Sequence, residues 1–249
     1  MKLFDALYHP TQGSLSNVSP QRISAVMLGG FNAETTEQHQ HINHPSIDVY
    51  RSAGIHPWAV GEDINAQLQA LDEALNAKPL SAVGEIGLDR HHQNAPIARQ
   101  QRVFSAQLHR AQHHGLPVIL HVVSAHGMAL DMLTDTPGMV HGFSGAPQLA
   151  HAYMQRGLYI SFGRMLLNPN ARKARASAST VPLNRLLIES DGAHPALGTD
   201  GLCAVLETLS NLRPESRKEL AQATANNART LFGPPLTQPR GPSTSTAST

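Results

Sequence analysis

The chain has 249 residues, 41% hydrophobic and 15% charged, with 19 Lys plus Arg against 18 Asp plus Glu. That composition excludes a highly charged disordered protein and a coiled coil. A formal charge of +1 excludes strong bulk attraction to nucleic acid, while leaving room for a local basic groove. The length suits a single α/β barrel, which commonly takes roughly 200–250 residues.

The N-terminal MKLFDALYHP has no apolar signal core. No stretch approaches the roughly 18 uninterrupted apolar residues of a membrane helix. One cysteine, Cys203, excludes an internal disulfide framework and fits a reducing compartment. The expectation is a cytoplasmic protein with no membrane partner. The outlying residue type is histidine, fifteen against four Tyr and one Trp. Histidine is the commonest metal ligand and the usual proton carrier near neutral pH.

Short Val/Ile/Leu-rich runs recur along the chain, each with Gly, His or Asp within three residues of its end: Lys2–Leu7, Ile23–Leu28, Asp48–Ile55, Leu80–Ile86, Pro117–Val123, Met139–Phe143, Leu158–Phe162 and Leu186–Glu189. Helical stripes lie between most of them, at Gln67/Leu68/Leu71/Leu75, Val103/Phe104/Leu108/Ala111, Met128/Leu130/Leu133 and Leu149/Ala150/Met154, with helices at Leu202–Leu212 and Arg217–Phe232 after the last run. Buried runs alternating with helical stripes imply βαβ units and a parallel sheet. Eight such runs predict a single-domain TIM-type (β/α)8 barrel, the alternative being an open doubly wound sheet. No phosphate-binding glycine motif follows the first run. Only Pro10–Arg22, with Gly13 and Pro20, separates the first two runs, so the first helix is short or missing. The barrel is expected to occupy residues 1–233. Residues 234–249, rich in Pro, Ser and Thr, are expected to form a disordered tail.

Active sites of α/β barrels lie at the C-terminal ends of the strands. That rule selects His9, His56, His121 and His141 among the histidines, and Asp5, Glu85, Asp89, Glu189 and Asp191 among the carboxylates. Imidazoles and carboxylates together suit a divalent metal such as Zn²⁺, Mn²⁺ or Fe²⁺, and a carboxylate-rich site also accepts Mg²⁺. The HQHINH segment at 39–44 lies away from the strand ends, on the second helix, and reads as a solvated helix face.

The blocks VGEIGLD (Val83–Asp89), GIHP (Gly54–Pro57), LPVILH (Leu116–His121), VHGFSG (Val140–Gly145), LYISFG (Leu158–Gly163) and LLIESD (Leu186–Asp191) resemble those of the TatD family of metal-dependent hydrolases. FDALYH (Phe4–His9) and ANNARTLF (Ala225–Phe232) resemble further family blocks, and all occur in the family's order. The resemblance implies a TIM-barrel hydrolase of phosphodiester bonds, typically a deoxyribonuclease using Mg²⁺, Mn²⁺ or Zn²⁺. Glu85 matches a carboxylate shared by two metals, His9 a ligand of the first, and His121 and His141 the imidazoles of the second. Asp191 matches the acid that binds the first metal and takes a proton from the nucleophilic water. Glu85 and Asp191 are thus the implied catalytic carboxylates.

The chain departs from the family pattern at several positions. The family's first strand ends in HxH, but here the segment reads Leu7-Tyr8-His9, and leucine donates nothing to a metal. The Arg-Asp expected after His121 is absent, and after Asp191 the chain continues Gly192-Ala193-His194-Pro195 in place of an Arg-Asn-Glu-Pro stretch. His194 is a candidate to supply the missing ligand or to line the substrate pocket; alternatively, only the second metal binds strongly. Arg164 and Arg90, after the seventh and fourth strands, are candidates to contact a substrate phosphate. His56 reads as pocket-lining, Trp58 as a residue that could stack on a base, and Asp5 as an orienting carboxylate. Two rival functions remain: a catalytically weakened relative that binds nucleic acid or a protein partner, and a hydrolase of lactones, esters or amides.

Overall fold

The computed structural model describes residues 2–10, 13–92, 95–133, 135–192 and 200–235. Eight strands lie in sequence order in one parallel sheet: β1 Leu3–Tyr8, β2 Ile23–Leu28, β3 Asp48–Ala53, β4 Ala82–Asp89, β5 Val118–Val123, β6 Gly138–Val140, β7 Tyr159–Phe162 and β8 Leu186–Ile188. The helices between and after them are α1 Ala33–Gln40, α2 Ile64–Ala77, α3 Ile97–His114, α4 His126–Met132, α5 Pro147–Gln155, α6 Arg172–Thr180, α7 Gly201–Ser210 and α8 Arg217–Phe232. This is the single TIM-type barrel expected. Among the described residues no α-helix lies between β1 and β2, in line with the short, Gly- and Pro-bearing connection there. None of the described helices is long and apolar enough to cross a membrane. Residues 236–249, most of the expected tail, and His194 lie outside the described residues.

Two elements differ from the sequence reading. The HQHINH segment straddles the end of α1 and is not one solvated face. His41 is exposed, but His39 is only 5% exposed, and its backbone carbonyl accepts from Arg51 Nε at 2.8 Å. Burial depresses the His39 imidazole to about 4, so it sits inside as a neutral ring. Helix α6 showed no stripe because the residues it buries are small: Ala174, Ser177 and Ala178.

Side chains alternate across a strand, and two apolar sets result. The larger lies between strands and helices, with Leu3, Tyr8, Val83, Ile86, Leu88, Leu120, Val140 and Ile188 among its members. The smaller fills the barrel interior with Phe4, Ala6, Leu7, Ala25, Met27, Tyr50, Ala82, Ile119, Met139 and Leu187, closed by Ala225, Ala228 and Phe232 of α8. Along β5, β6 and β8, plain alternation carries the interior face from Ile119 to His121, from Met139 to His141, and from Leu187 to Glu189 and Asp191.

Strands β1 and β4 need a phase change. Register shifts fall between Asp5 and Tyr8 in β1 and between Gly84 and Ile86 in β4, and an irregularity of this kind re-aims the side chains beyond it. Ala6 and Leu7 are therefore both interior, and His9 follows on the face of Leu7. In β4 the interior face moves from Ala82 to Glu85. At Gly87, beyond that shift, φ is +145° and a Cβ would stand 2.0 Å from the His121 carbonyl oxygen, so only glycine fits.

Between β1 and β8 the sheet closes at its mouth through one carboxylate and one backbone bond. Asp5 accepts from the Ser190 backbone N–H at 2.8 Å and from its hydroxyl at 2.5 Å, and Asp191 N–H donates to the Leu7 carbonyl at 3.0 Å. Burial raises the Asp5 carboxyl to about 7, against the lowering effect of its Ser190 hydrogen bonds.

Candidate metal centre

Glu85 occupies the centre of the barrel mouth, 2% exposed. Its two oxygens face different imidazoles: Oε1 lies 2.9 Å from His9 Nε2, and Oε2 lies 2.8 Å from His141 Nε2. His141 Nε2 is in turn 2.9 Å from His121 Nδ1. On the other side, His9 Nε2 is 3.7 Å from Asp191 Oδ1. Two donor groups therefore meet at one carboxylate: Glu85 with His121 and His141, and Glu85 with His9 and Asp191. His9, Glu85, His121, His141 and Asp191 are all brought together.

The outer nitrogens of the two deep imidazoles are held by further acids. His121 Nε2 lies 3.1 Å from Asp89 Oδ2, and His141 Nδ1 lies 3.3 Å from Glu189 Oε1. Glu189 is itself fixed by Ser161 Oγ at 2.5 Å and by the Gly142 N–H at 2.6 Å. A carboxylate behind a histidine fixes its tautomer and turns the opposite nitrogen toward a metal. This arrangement suits a divalent cation at Glu85, His121 and His141. Among the strand-end carboxylates, Asp89 and Glu189 carried no assigned role in the sequence, because their partners lie on neighbouring strands 32 and 48 residues away.

The other group is less complete. His9 is 36% exposed in its side chain and Asp191 24%. Asp191 holds φ +57°, a conformation uncommon for a residue other than glycine. Leu7 is fully buried and lies beside His9. A Cβ on Gly29 would meet Leu7 Cδ1 at 2.8 Å and His9 Cε1 at 2.6 Å. The ligand that the family pattern places at this position is thus an apolar side chain packed into the interior set.

Burial alone would lift Glu85, but the imidazoles of His141 and His9 hold its carboxyl well below the usual range. Burial would lower His141 and His9, yet Glu85, joined by Glu189 or Asp191, raises both, His141 well above its usual value. Burial and the neighbouring His141 lower His121. Burial raises Asp191, against the lowering effect of His141.

One further clustering needs resolving: His56, Glu85 and His121 each present a donor atom within 4.8 Å of the other two. His56 Nδ1, however, accepts the Trp58 N–H at 3.1 Å, and burial depresses the ring to about 3. A neutral imidazole whose Nδ1 accepts carries its proton on Nε2. His56 then offers the centre a donor hydrogen, which suits a substrate oxygen better than a metal.

Beside the centre a cleft of about 640 Å³ is lined by His121, His141, Glu189, Asp191, Arg164 and Lys173, among others. Arg164 NH2 reaches to 3.7 Å from Asp191 Oδ2 while its side chain stays 64% exposed. Arg90 is exposed, and its backbone N–H donates to Val123. It is not among the residues lining this cleft.

Comparison with known proteins agrees with this geometry. Residues 4–233 match the family model for TatD related DNase. The metal-dependent hydrolase YjjV of Escherichia coli is 33% identical over 238 residues, covering 90% of this chain and 92% of that protein. The 3'-5' ssDNA/RNA exonuclease TatD of Enterobacter lignolyticus is 28% identical, covering 85% and 88%. The crystal structure of the E. coli TatD homologue YjjV superposes with a TM-score of 0.82 at 30% identity, over 94% of this chain and 98% of that one. Sequence match, barrel and carboxylate-centred histidine cluster agree: the chain belongs to the TatD family of metal-dependent hydrolases.

Proposed function

We propose that this protein cleaves phosphodiester bonds of nucleic acid, with DNA as its substrate, at the centre built on Glu85. The observation that carries the reading is the placement of the two Glu85 oxygens against imidazoles of different strands, which would let one carboxylate serve two cations. Glu85, His121 and His141 would hold one divalent ion (Mg²⁺, Mn²⁺ or Zn²⁺), and Glu85, His9 and Asp191 would hold a second, more weakly. Bound there, such ions supply a water of lowered pKa and offset charge on phosphoryl oxygens. Asp191 orients the attacking water and accepts its proton, its carboxyl already raised by burial. Arg164, in the cleft wall, pairs with a non-bridging phosphate oxygen, and His56 donates to the substrate from the opposite side. We place the reaction in the cytoplasm.

The test is cleavage of single- and double-stranded DNA with Mg²⁺, Mn²⁺ or Zn²⁺, run beside Glu85→Ala. Metal-dependent cleavage that the substitution abolishes, together with loss of bound metal, supports the reading. Hydrolysis confined to lactones, esters or amides would replace it. A second reading is favoured by Leu7: with one ligand missing, catalysis is weak and binding of nucleic acid or a protein is the main activity. Retained DNA binding without cleavage under any of the three ions would mark that case.

A further inference from the structure

Trp58 and Met165 are the large hydrophobic side chains left exposed among the described residues, at 42% and 44%. Trp58 stands in the short 3₁₀ turn Pro57–Ala59 after β3, and its indole is fixed on several sides. The ring N–H donates to Asp89 Oδ2 at 2.7 Å. His92 lies flat against it, with centroids 4.7 Å apart and planes 16° from parallel. His56 and His121 meet it edge-on at 5.1 and 5.7 Å. An indole held this firmly has already lost its rotamer freedom, which removes part of the entropy cost of binding on it. Leaving so much aromatic surface in water gives up burial free energy, so packing alone does not account for its position.

Its place relative to the centre is equally defined. Asp89 Oδ2 serves both the indole N–H and His121 Nε2, and His121 forms part of the cleft wall. The exposed ring is not itself part of that wall; it stands beside His121, centroids 5.7 Å apart, on the side of Asp89.

We propose that Trp58 is the platform on which a nucleobase of the substrate stacks, next to the phosphate held at the Glu85–His121–His141 group. The proposal rests on the phosphodiesterase reading above and assigns it a base-binding residue. The base extends the existing His92–indole stack. Stacking uses the π-face that every base has, so the platform is indifferent to base identity. It does require a base whose face is not covered by its neighbours, so single strands and frayed ends are preferred to duplex.

Trp58 is the single tryptophan of the chain, so intrinsic fluorescence reports on this ring alone. The experiment titrates the Mn²⁺-loaded protein with a phosphorothioate-linked thymidylate hexamer and with an abasic hexamer of the same backbone. Binding is followed in parallel by fluorescence anisotropy of labelled strands. The expected result is quenching by the thymidylate hexamer and none by the abasic strand at equal occupancy. Trp58→Leu should weaken binding of the base-bearing strand roughly 5- to 150-fold, the range of one lost stacking contact, and leave the abasic strand unaffected. Trp58→Phe, which keeps a ring face but gives up the bond to Asp89, should bind within a few-fold of the wild type. Equal binding of the thymidylate hexamer by the wild type and Trp58→Leu, or binding without quenching while cleavage persists, overturns the platform and leaves the phosphodiesterase reading standing. Absence of both binding and cleavage of any nucleic acid overturns the two together.

Discussion

The two sides of Glu85 are built to different standards. On the side of β5 and β6, His121 and His141 are buried, and each has a carboxylate behind it, Asp89 and Glu189. On the side of β1 and β8, His9 and Asp191 are partly exposed, and the neighbouring interior position is Leu7. The difference shows where rigidity comes from. β5 pairs with β4 from Val83↔Val118 to Asp89↔Val123, across one register shift, and with β6 from Val118↔Gly138 to Leu120↔Val140, whereas β1 and β8 meet at the mouth through Asp5, Ser190 and one backbone bond. A ligand pair on laddered strands is better preorganised than a pair across such a seam.

The largest expected effect tests the well-supported side. Glu189→Gln removes the charge behind His141 and should weaken metal binding at the Glu85–His121–His141 group by about 10- to 100-fold, read by competition with a chromophoric chelator. If affinity is unchanged, the support attributed to that side is wrong. Next comes Leu7→His. The wild type should retain one equivalent of metal after gel filtration and the variant two, by elemental analysis. Two firmly held equivalents in the wild type would erase the contrast altogether.

The smallest effect concerns the seam. Burial holds the Asp5 carboxyl up at about 7, whereas a free aspartate titrates at about 3.9. A carboxyl raised on folding contributes stability that is full below about pH 4 and is lost as pH rises through about 7. The metal-free protein should therefore lose thermal stability across that window. Asp5→Asn, whose amide can keep both bonds to Ser190, should flatten the decline. An unchanged pH profile in the variant would show that the seam does not depend on this proton.

Most of the architecture was legible in the sequence because each strand is a short apolar run with Gly, His or Asp close behind it. Leu186–Glu189 and Ile23–Leu28 are clear cases, and α8 appears with the bounds its stripe predicts. The candidate ligands were legible because β5, β6 and β8 follow strict alternation into His121, His141 and Asp191. Glu85 and His9 were reached through strand-end position and family resemblance. Alternation alone would have turned Glu85 outward, since the register shift that re-aims it depends on pairing with β5. The roles of Asp89 and Glu189 were hidden for the same kind of reason: they exist only when separate strands come side by side. The burial of His39 was hidden because its surroundings are supplied by Arg51 and the residues packed around α1, not by its own polar neighbours.

Glu85 has a consequence for how such a centre can diverge. With one oxygen committed to His9 and the other to His141, the residue cannot be tuned toward one partner without drawing it from the other. Change in the pair of sites must then enter at the margins, where a side chain touches one half only. Position 7 is such a place, and a leucine there alters one half of the centre while the shared carboxylate and the far half keep their geometry.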